Sequence, residues 1–582
     1  MKLRVERREV DAARLPFFEG LPSVLARAYA ARGIDDPIRL STRLERLLPV
    51  SSLDGVAAAV ELLLEHRRRG GLILVIGDFD ADGATSSALI VRALRSFGFS
   101  QVDFLVPNRF EFGYGLSRGI VEVAAASAPA LLITVDNGIS SIEGVARARE
   151  LGMDVLVTDH HLAGPELPAA NVIVNPNIPG ASFASKSLAG VGVAFYLMAA
   201  LHRALREAGQ LPSKAPSPAE WLDLVALGTV ADIVPLDDNN RILVAQGLAR
   251  IRAGRCTPGV QALLELGQRS LQRVVATDLG FIVGPRINAA GRIDDMTIGI
   301  RCLLAESLTE AREMAARLDE LNRERRAIEA DMQTQALAAV RGLADPADDG
   351  RYGLCLYDPG WHQGVVGLVA GRIKERVRRP VIAFADAEAG ELRGSARSVP
   401  GVHVRDVLEA ISSRHPGMVI RFGGHAMAAG LTLDRERLDE FARVFDREVA
   451  RWQEGGTLAD RIETDGALAV EEVSLDIAMA LREAGPWGQG FAEPSFDQPF
   501  RLHTPKVVGE RHLKMWVEPV GSGRRFEAIA FNVLQDTQSP LLIEGELRVP
   551  THAHLVYRLD VNEYRGEQRL QLLVDHLLDY AP

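Results

Sequence analysis

The stretch LVIGDFDADGATSSALIV, residues 74–91, starts as an aliphatic strand and stops at three aspartates, Asp78, Asp80 and Asp82. A glycine, small hydroxyl residues and a second aliphatic run follow. A buried strand, an acidic turn and a helix in this order begin a β-α-β unit. Three like charges at one point repel each other and destabilise the fold. Either they lie in water as an acidic turn, or something positive sits among them.

The same rhythm continues on both sides of this stretch. LDGVAAAVELLLEHRRRG fits a helix ending at Gly70 or Gly71, and ATSSALIVRALRSFG a helix closed by Gly98. VDFLVPN, ALLITVD, DVLVTDHH and NVIVNP read as short buried strands, with SIEGVARARELG as an intervening helix. Apolar strands alternating with helices predict a parallel sheet covered on both faces. Residues 306–340 lack Gly and Pro and are dense in helix formers, which predicts one long exposed connector helix. A second α/β unit starts at YGLCLYDPGW, and the last ~120 residues alternate short strands with turns, as in a small barrel. The expected division is a leader over 1–50, a first α/β domain over 51–303, the connector over 304–345, a second α/β domain over 346–455 and the barrel over 456–582.

Bulk properties narrow the class. At 582 residues the chain exceeds one hydrophobic core. No run reaches the ~18 apolar residues that span a bilayer, and the N-terminus has no signal core. A cytoplasmic protein with no membrane association is expected. Cys256, Cys302 and Cys355 share no metal-ligand spacing, which excludes zinc-finger and disulfide-scaffold readings. The net charge of −11 excludes a uniformly basic surface, though a locally basic groove still binds phosphates.

Three of the predicted strands end in acidic or imidazole side chains. LILVIGD runs into Asp78, Asp80 and Asp82, LLITVD into Asp136, and DVLVTD into Asp159, His160 and His161. In an open α/β sheet, ligands bind at the carboxyl ends of the strands, so these groups should converge. Asp232, in LVALGTVADIVPL, is a fourth candidate source. So many carboxylates cannot all stay ionised without cations, and Asp-rich sites with one or two His suit Mn²⁺ or Mg²⁺. A pair of such ions ~3.5–4 Å apart serves phosphoryl displacement. A single Asp after a strand, such as Asp103 or Asp154, is by contrast an ordinary turn or cap. Asp159 and His161 stay open between ligating and orienting roles.

DFDADG, VDNG, DHH and VADIVPL, in this order, resemble the successive motifs of the DHH phosphoesterase superfamily. PNRFEFGYGL, GPRINAAGRIDD, WHQGVVGLVAGRI, GSARS and FGGHAMAAG are similar to further motifs of its bacterial RecJ branch, 5′→3′ exonucleases specific for single-stranded DNA. The resemblance covers nearly the whole chain. It implies a parallel-sheet DHH domain, a DHH-associated second α/β domain and an OB-like barrel. It implies a nuclease with two Mn²⁺ or Mg²⁺ ions that releases mononucleotides in recombination and DNA repair. Metal ligands would come from Asp78, Asp80, Asp82, Asp136, His160 and Asp232, with Asp80, Asp136, His160 and His161 in the catalytic set. Some relatives place a His four residues before a D-x-D motif; Leu74 and Ile76 occupy those positions here, and the third aspartate is the expected substitute. The implied partners are single-stranded DNA with a 5′ end, a single-strand binding protein and a helicase, with the chain itself monomeric.

A phosphodiester substrate also needs cations from the protein. Arg109, Arg286, Asn288 and Arg292 lie in the resembling motifs, as do Ser395, Arg397 and His425. The resemblance places Ser395, Arg397 and Arg109 on the 5′-phosphate and His425 on the phosphate beside the metals. The bland alternative for each arginine is a surface ion pair. Tyr114 or Phe112 could stack bases or serve the core. Trp516 and Tyr557, with Lys514, Arg524 and Arg525, suggest a stacking face on the barrel. Two rival functions are a phosphodiesterase for short oligonucleotides or cyclic dinucleotides, and a non-catalytic single-strand-binding scaffold.

Overall fold

The computed structural model describes residues 4–107, 112, 115–341, 350–387, 390–453, 461–509, 511–534, 541–543, 546–564 and 567–580. Arg109 and Tyr114 lie outside the described residues. Strand β1 (Arg4–Arg7) opens the chain. Five parallel strands then form the first sheet: β2 (Ile73–Ile76), β3 (Val102–Leu105), β4 (Leu131–Val135), β5 (Asp154–Thr158) and β6 (Val172–Val174). Their order is β3-β2-β4-β5-β6. The residues of β2 and β4 are all buried, as strands covered on both faces must be. The chain leaves β2 outward to β3, then returns to β4 on the other side of β2. A crevice therefore opens between the ends of β2 and β4.

Three helices of this domain matter to that crevice. Helix α1 (Ala81–Ser96) follows β2, α2 (Gly190–Glu207) follows β6, and α3 (Leu222–Ala231) comes next. Helix α4 (Gly284–Ile293) packs over the end of β2. The connector is helix α5 (Leu308–Arg341). It is not simply exposed. Ala311, Ala315, Leu318 and Leu321 enter the core of the first domain, and Met332, Ala336 and Val340 that of the second. Their three- and four-residue spacing makes a buried stripe, so α5 ties the two domains rather than spanning solvent between them.

The second α/β unit holds a mixed sheet of β7 (Leu354–Tyr357), β8 (Val381–Asp386), β9 (Glu391–Arg397), β10 (Arg421–Gly424) and β11 (Ala428–Asp434), ordered β10-β11-β9-β8-β7. Only β7 and β8 pair in parallel. Helix α6 (Val366–Val377) lies against β8 and β9. Next, β12 (Arg461–Thr464) pairs in parallel with β1.

The C-terminal strands are β13 (Phe496–Val508), β14 (His512–Pro519), β15 (Phe526–Ala530), β16 (Leu542–Ile543), β17 (Glu546–Leu547), β18 (His552–Tyr564) and β19 (Glu567–Leu578). Five of them close into a barrel, β13-β14-β15-β19-β18. Trp516 points outward and is 48% exposed. Tyr557 does not share that face: it is fully buried, and its hydroxyl donates to Gln498 Oε1 at 3.2 Å. Alternation along β18 turns it inward.

The first fifty residues pack rather than trail. Tyr29 stacks with Trp487 and Phe491, and Arg32 pairs with Asp465 in a buried bridge of 2.6 Å. Among the described residues no single helix is long and apolar enough to cross a membrane. Where β1, β12 and the barrel meet, the buried Asp497 carboxylate accepts from Arg7, Thr464 and His554. Removing it strands the buried Thr464 hydroxyl and takes the ionic partner from Arg7 and His554, which water can still reach. Asp497→Ala is expected to cost about 2 kcal/mol, read as a shifted urea midpoint for the unfolding of the barrel region.

Candidate metal centre

The acidic loop is organised by its own backbone. Asp80 caps α1, its Oδ1 accepting from the amides of Asp82 and Gly83 at 3.0 Å each. Asp78 accepts from the Phe79 amide at 2.7 Å. Asp82 sits in the first turn of α1, wholly buried, and meets the start of α2. Its Oδ2 accepts from the Gly190 amide at 2.6 Å and its Oδ1 from Val191 at 2.8 Å. A helix N-terminus thus holds the third aspartate.

Asp136 follows β4 with φ of +60°, a left-handed conformation that a non-glycine residue seldom adopts. The Asn137 side chain donates to Ile76 O and Val135 O, tying the ends of β2 and β4 together. After β5, Asp159 is buried. Its Oδ1 accepts from the His160 and His161 amides and lies 2.7 Å from His161 Nδ1, while its Oδ2 accepts from the Ile139 amide at 2.9 Å. Those four contacts occupy Asp159 and make it the residue that orients the two histidines. Asp232 ends α3.

These strand and helix ends converge. Three sets of potential ligand atoms lie within 4.8 Å of one another: Asp78, Asp80 and Asp136; Asp136, His160 and His161; and Asp82, His160 and Asp232. His160 Nε2 lies 3.1 Å from Asp136 Oδ1 and 3.4 Å from Asp232 Oδ2, yet it is buried without a hydrogen-bond partner among the described residues. A buried imidazole nitrogen left open inside a carboxylate cluster suits a divalent cation.

The electrostatics agree. Burial, then the charge of Asp80, pushes the Asp82 carboxyl up to about 7. Burial and the neighbouring aspartates, Asp82 first, hold Asp136 and Asp232 well above the carboxylate range. Burial and the nearby His161 bring His160 down to about 3, so its imidazole is neutral near pH 7. Burial also opposes charge on His161, but the bond to Asp159 outweighs it and raises His161 to about 9.

The second domain closes over this cluster. His425, in the turn between β10 and β11, stacks on His161 with ring centroids 5.7 Å apart and planes 13° off parallel. Ser395 and Arg397, on β9, lie beside the first turn of α6. Arg397 Nη1 donates to Ser395 Oγ at 3.0 Å and to Ala396 O at 2.8 Å. A Cβ on Gly367 would come within 2.8 Å of both side chains, so only glycine lets α6 approach so closely. Arg286 is committed elsewhere: it pairs with Asp319 of α5 at 2.9 Å. Asn288 Oδ1 accepts from the Ala81 amide at 2.8 Å and so braces the acidic loop. Arg292 reaches Gly364 O at 3.4 Å across the domain boundary. The barrel's Trp516 is on another domain from the cluster. Reading the sequence missed Asn175 and Asn177, whose amides donate to His161 O and His160 O. The motif VNPN after β6 was the available signal.

Comparison with known proteins agrees with this geometry. The DHH family N-terminal domain matches residues 72–229, the DHHA1 domain 350–451 and the RecJ OB domain 464–576. The single-stranded-DNA-specific exonuclease RecJ of Escherichia coli (strain K12) is 51% identical over 580 residues, 99% of each chain. The chain belongs to the RecJ family. The Haemophilus influenzae member is 48% identical, again over 99% of each chain. Among solved structures, RecJ from Thermus thermophilus in complex with Mn²⁺ superposes with a TM-score of 0.80 at 29% identity, covering 100% of this chain and 80% of that one. The same protein in complex with Mg²⁺ gives a TM-score of 0.75.

A pH-dependent stability follows. Unfolded carboxyls titrate near 4, so above that the metal-free fold keeps protons on Asp82, Asp136 and Asp232 that the unfolded chain has lost. Their contribution disappears as pH rises through about 7 and beyond. His161, raised to about 9, works in the same direction. Neutral His160 works oppositely, but only below about 6.5. Between pH 6.5 and 8, Tm in EDTA should therefore fall more steeply than Tm in Mn²⁺, which offsets the carboxylate charge. Equal slopes would contradict a metal-binding role for the cluster.

Proposed function

We propose that the chain is a divalent-cation-dependent exonuclease that degrades single-stranded DNA from its 5′ end. One observation carries this reading. Carboxylates and a neutral histidine from separate strand and helix ends meet at one crevice, and the second domain lays His425 over it. The ligands would be drawn from Asp78, Asp80, Asp82, Asp136, His160 and Asp232: Asp136 closes the set with Asp78 and Asp80, His160 the set with Asp82 and Asp232, and those two residues also meet each other beside His161. Mn²⁺ or Mg²⁺, two ions when fully loaded, supplies Lewis-acid activation of water and neutralises the phosphate.

The chain's own residues do the rest. Asp159 holds His160 and His161 in place through its four contacts. His161, kept protonated, and His425 above it face the phosphate being cut. Arg397, Ser395 and the amide end of α6 form an anion site for the terminal 5′-phosphate. With that end anchored, the first phosphodiester reaches the metals and a mononucleotide leaves. Between 350 and 453 the chain has sixteen Lys and Arg against thirteen Asp and Glu, a basic domain on an acidic protein. The exposed Trp516 gives the distal strand a stacking surface. One chain carries the whole cluster, so a monomer suffices. A cytoplasmic helicase and a single-strand binding protein are the partners that would supply such a substrate in recombination and repair.

Two experiments test this. Asp136→Ala is expected to abolish Mn²⁺-dependent cleavage while binding to a single strand survives at low salt; lost binding or a collapsed fold would contradict the ligand role. A strand labelled at its 5′ end should yield labelled mononucleotide from the first time point, and a 3′-labelled strand a ladder that shortens slowly. In the same assay Arg397→Ala should reduce the preference for a 5′-phosphate over a 5′-hydroxyl by about tenfold, the value of one charge-assisted contact. An unchanged preference removes Arg397 from the anchor.

A further inference from the structure

Ile233 stands immediately beyond helix α3, next to Asp232. Its φ is +59°, and its amide donates to Val230 O at 3.3 Å. This is the left-handed position after a helix, which chains commonly give to glycine. A β-branched residue there is strained. Its side chain is nevertheless 68% exposed. Neither backbone preference nor burial explains an isoleucine at this point.

A second irregularity lies against the same helix end. Residues Leu279–Val283 form a π-helical turn just before α4. A Cβ on Gly280 would sit 3.1 Å from Val230 Cγ1, and one on Gly284 3.3 Å from Ala231 Cβ, which places the turn on the last residues of α3. Such turns insert an extra residue and recur at functional sites. This one presents Phe281, 73% exposed. A third apolar residue, Leu162, follows His161 directly and is 65% exposed. Phe281, Ile233 and Leu162 are the three most exposed large apolar side chains among the described residues. Leu162 and Ile233 each adjoin a member of the cluster in the chain, His161 and Asp232, and Phe281 stands on the turn packed against the helix end that leads into Asp232. Scattered surface apolar residues need no explanation, but this grouping does.

We propose that Leu162, Ile233 and Phe281 form an apolar rim that packs against the unpaired nucleobases flanking the phosphate being cut. The inference rests on the single-strand exonuclease reading and adds the base-contacting half of the site. The metal cluster recognises phosphate alone. A strand beside it must also place flat, apolar base faces somewhere, and the rim is the apolar surface at that point. Bases paired in a duplex turn inward and cannot reach it, so the rim selects single strands as well as binding them.

The test compares two 5′-phosphorylated 20-mers, one normal and one with abasic residues at its first three positions. Wild type, Phe281→Ala and Ile233→Gly are assayed on both with Mn²⁺. Ile233→Gly relieves the left-handed strain, so its Tm should hold or rise and lost activity is not lost folding. On the normal strand each variant should lose about tenfold in kcat/KM, mostly through KM, as expected for one stacked base. On the abasic strand wild type should itself be slower, and the variants should match it. Equal losses on both strands, or no loss on the normal one, overturn the rim alone. A drop in mass by light scattering for Phe281→Ala also overturns it, because the surface would then be a contact between copies. A wild type that leaves the normal strand intact overturns the nuclease reading and the rim with it.

Discussion

The repulsion among carboxylates buried at one crevice governs the rest of this structure. Asp136 follows β4 and Asp82 lies in the first turn of the helix that follows β2; both are out of water, and the charge of one opposes that of the other. Left alone, such groups take up protons rather than share charge. Several features of the fold exist to hold them there. The start of α2 presents two amides to Asp82, Asp80 caps α1, and Asn288 takes the Ala81 amide. Asp136 is fixed in a left-handed conformation and Asn137 ties its strand to β2. A divalent cation is the kind of group that offsets the charge of such a cluster.

The second constraint is the meeting of two domains. The metal cluster belongs to the first domain, but His425 and the Ser395–Arg397 pair belong to the second. Helix α5 links them through a buried stripe that enters both cores, and Arg292 contacts Gly364 at the boundary. A rigid connector of this kind fixes the distance between the Ser395–Arg397 pair and the acidic cluster. The N-terminal segment does the equivalent for the barrel, pairing β1 with β12 and sending Arg7 to Asp497. The chain is thus stitched together along α5, at the Arg292–Gly364 contact and where β1 meets β12.

Two of the seven described non-glycine residues with left-handed backbone, Asp136 and Ile233, stand in or next to the cluster. A non-glycine residue adopts the left-handed conformation at Asp136 and at Ile233, and a helix gains a π turn at Phe281. Each lies at the cluster or at the helix end that supplies Asp232. Strain is costly and persists where surrounding structure imposes it. At Asp136 the strained residue belongs to the acidic cluster. At Ile233 an apolar side chain is exposed to solvent next to Asp232.

Much of this was legible in the sequence, for identifiable reasons. Buried parallel strands are continuous apolar runs, so β2, β4 and β5 and the acids that end them could be read directly. The general rule for open α/β sheets then predicted that Asp78, Asp80, Asp82, Asp136 and His160 would gather. Other assignments needed the fold. The sequence put Asn288 and Arg286 among substrate contacts; the structure turns one to the acidic loop and the other to Asp319, because both lie on a helix packed between these elements. Tyr557 looked like part of a stacking face, and strand alternation turned it into the barrel core. The leader's role depended on a pairing partner more than 450 residues away. What the sequence determined by itself is whatever local periodicity and residue chemistry encode: the elements, their ends and the kind of ion they suit. What only the tertiary structure decided is which side chain meets which, because contacts between distant segments depend on packing direction, and no local pattern records that.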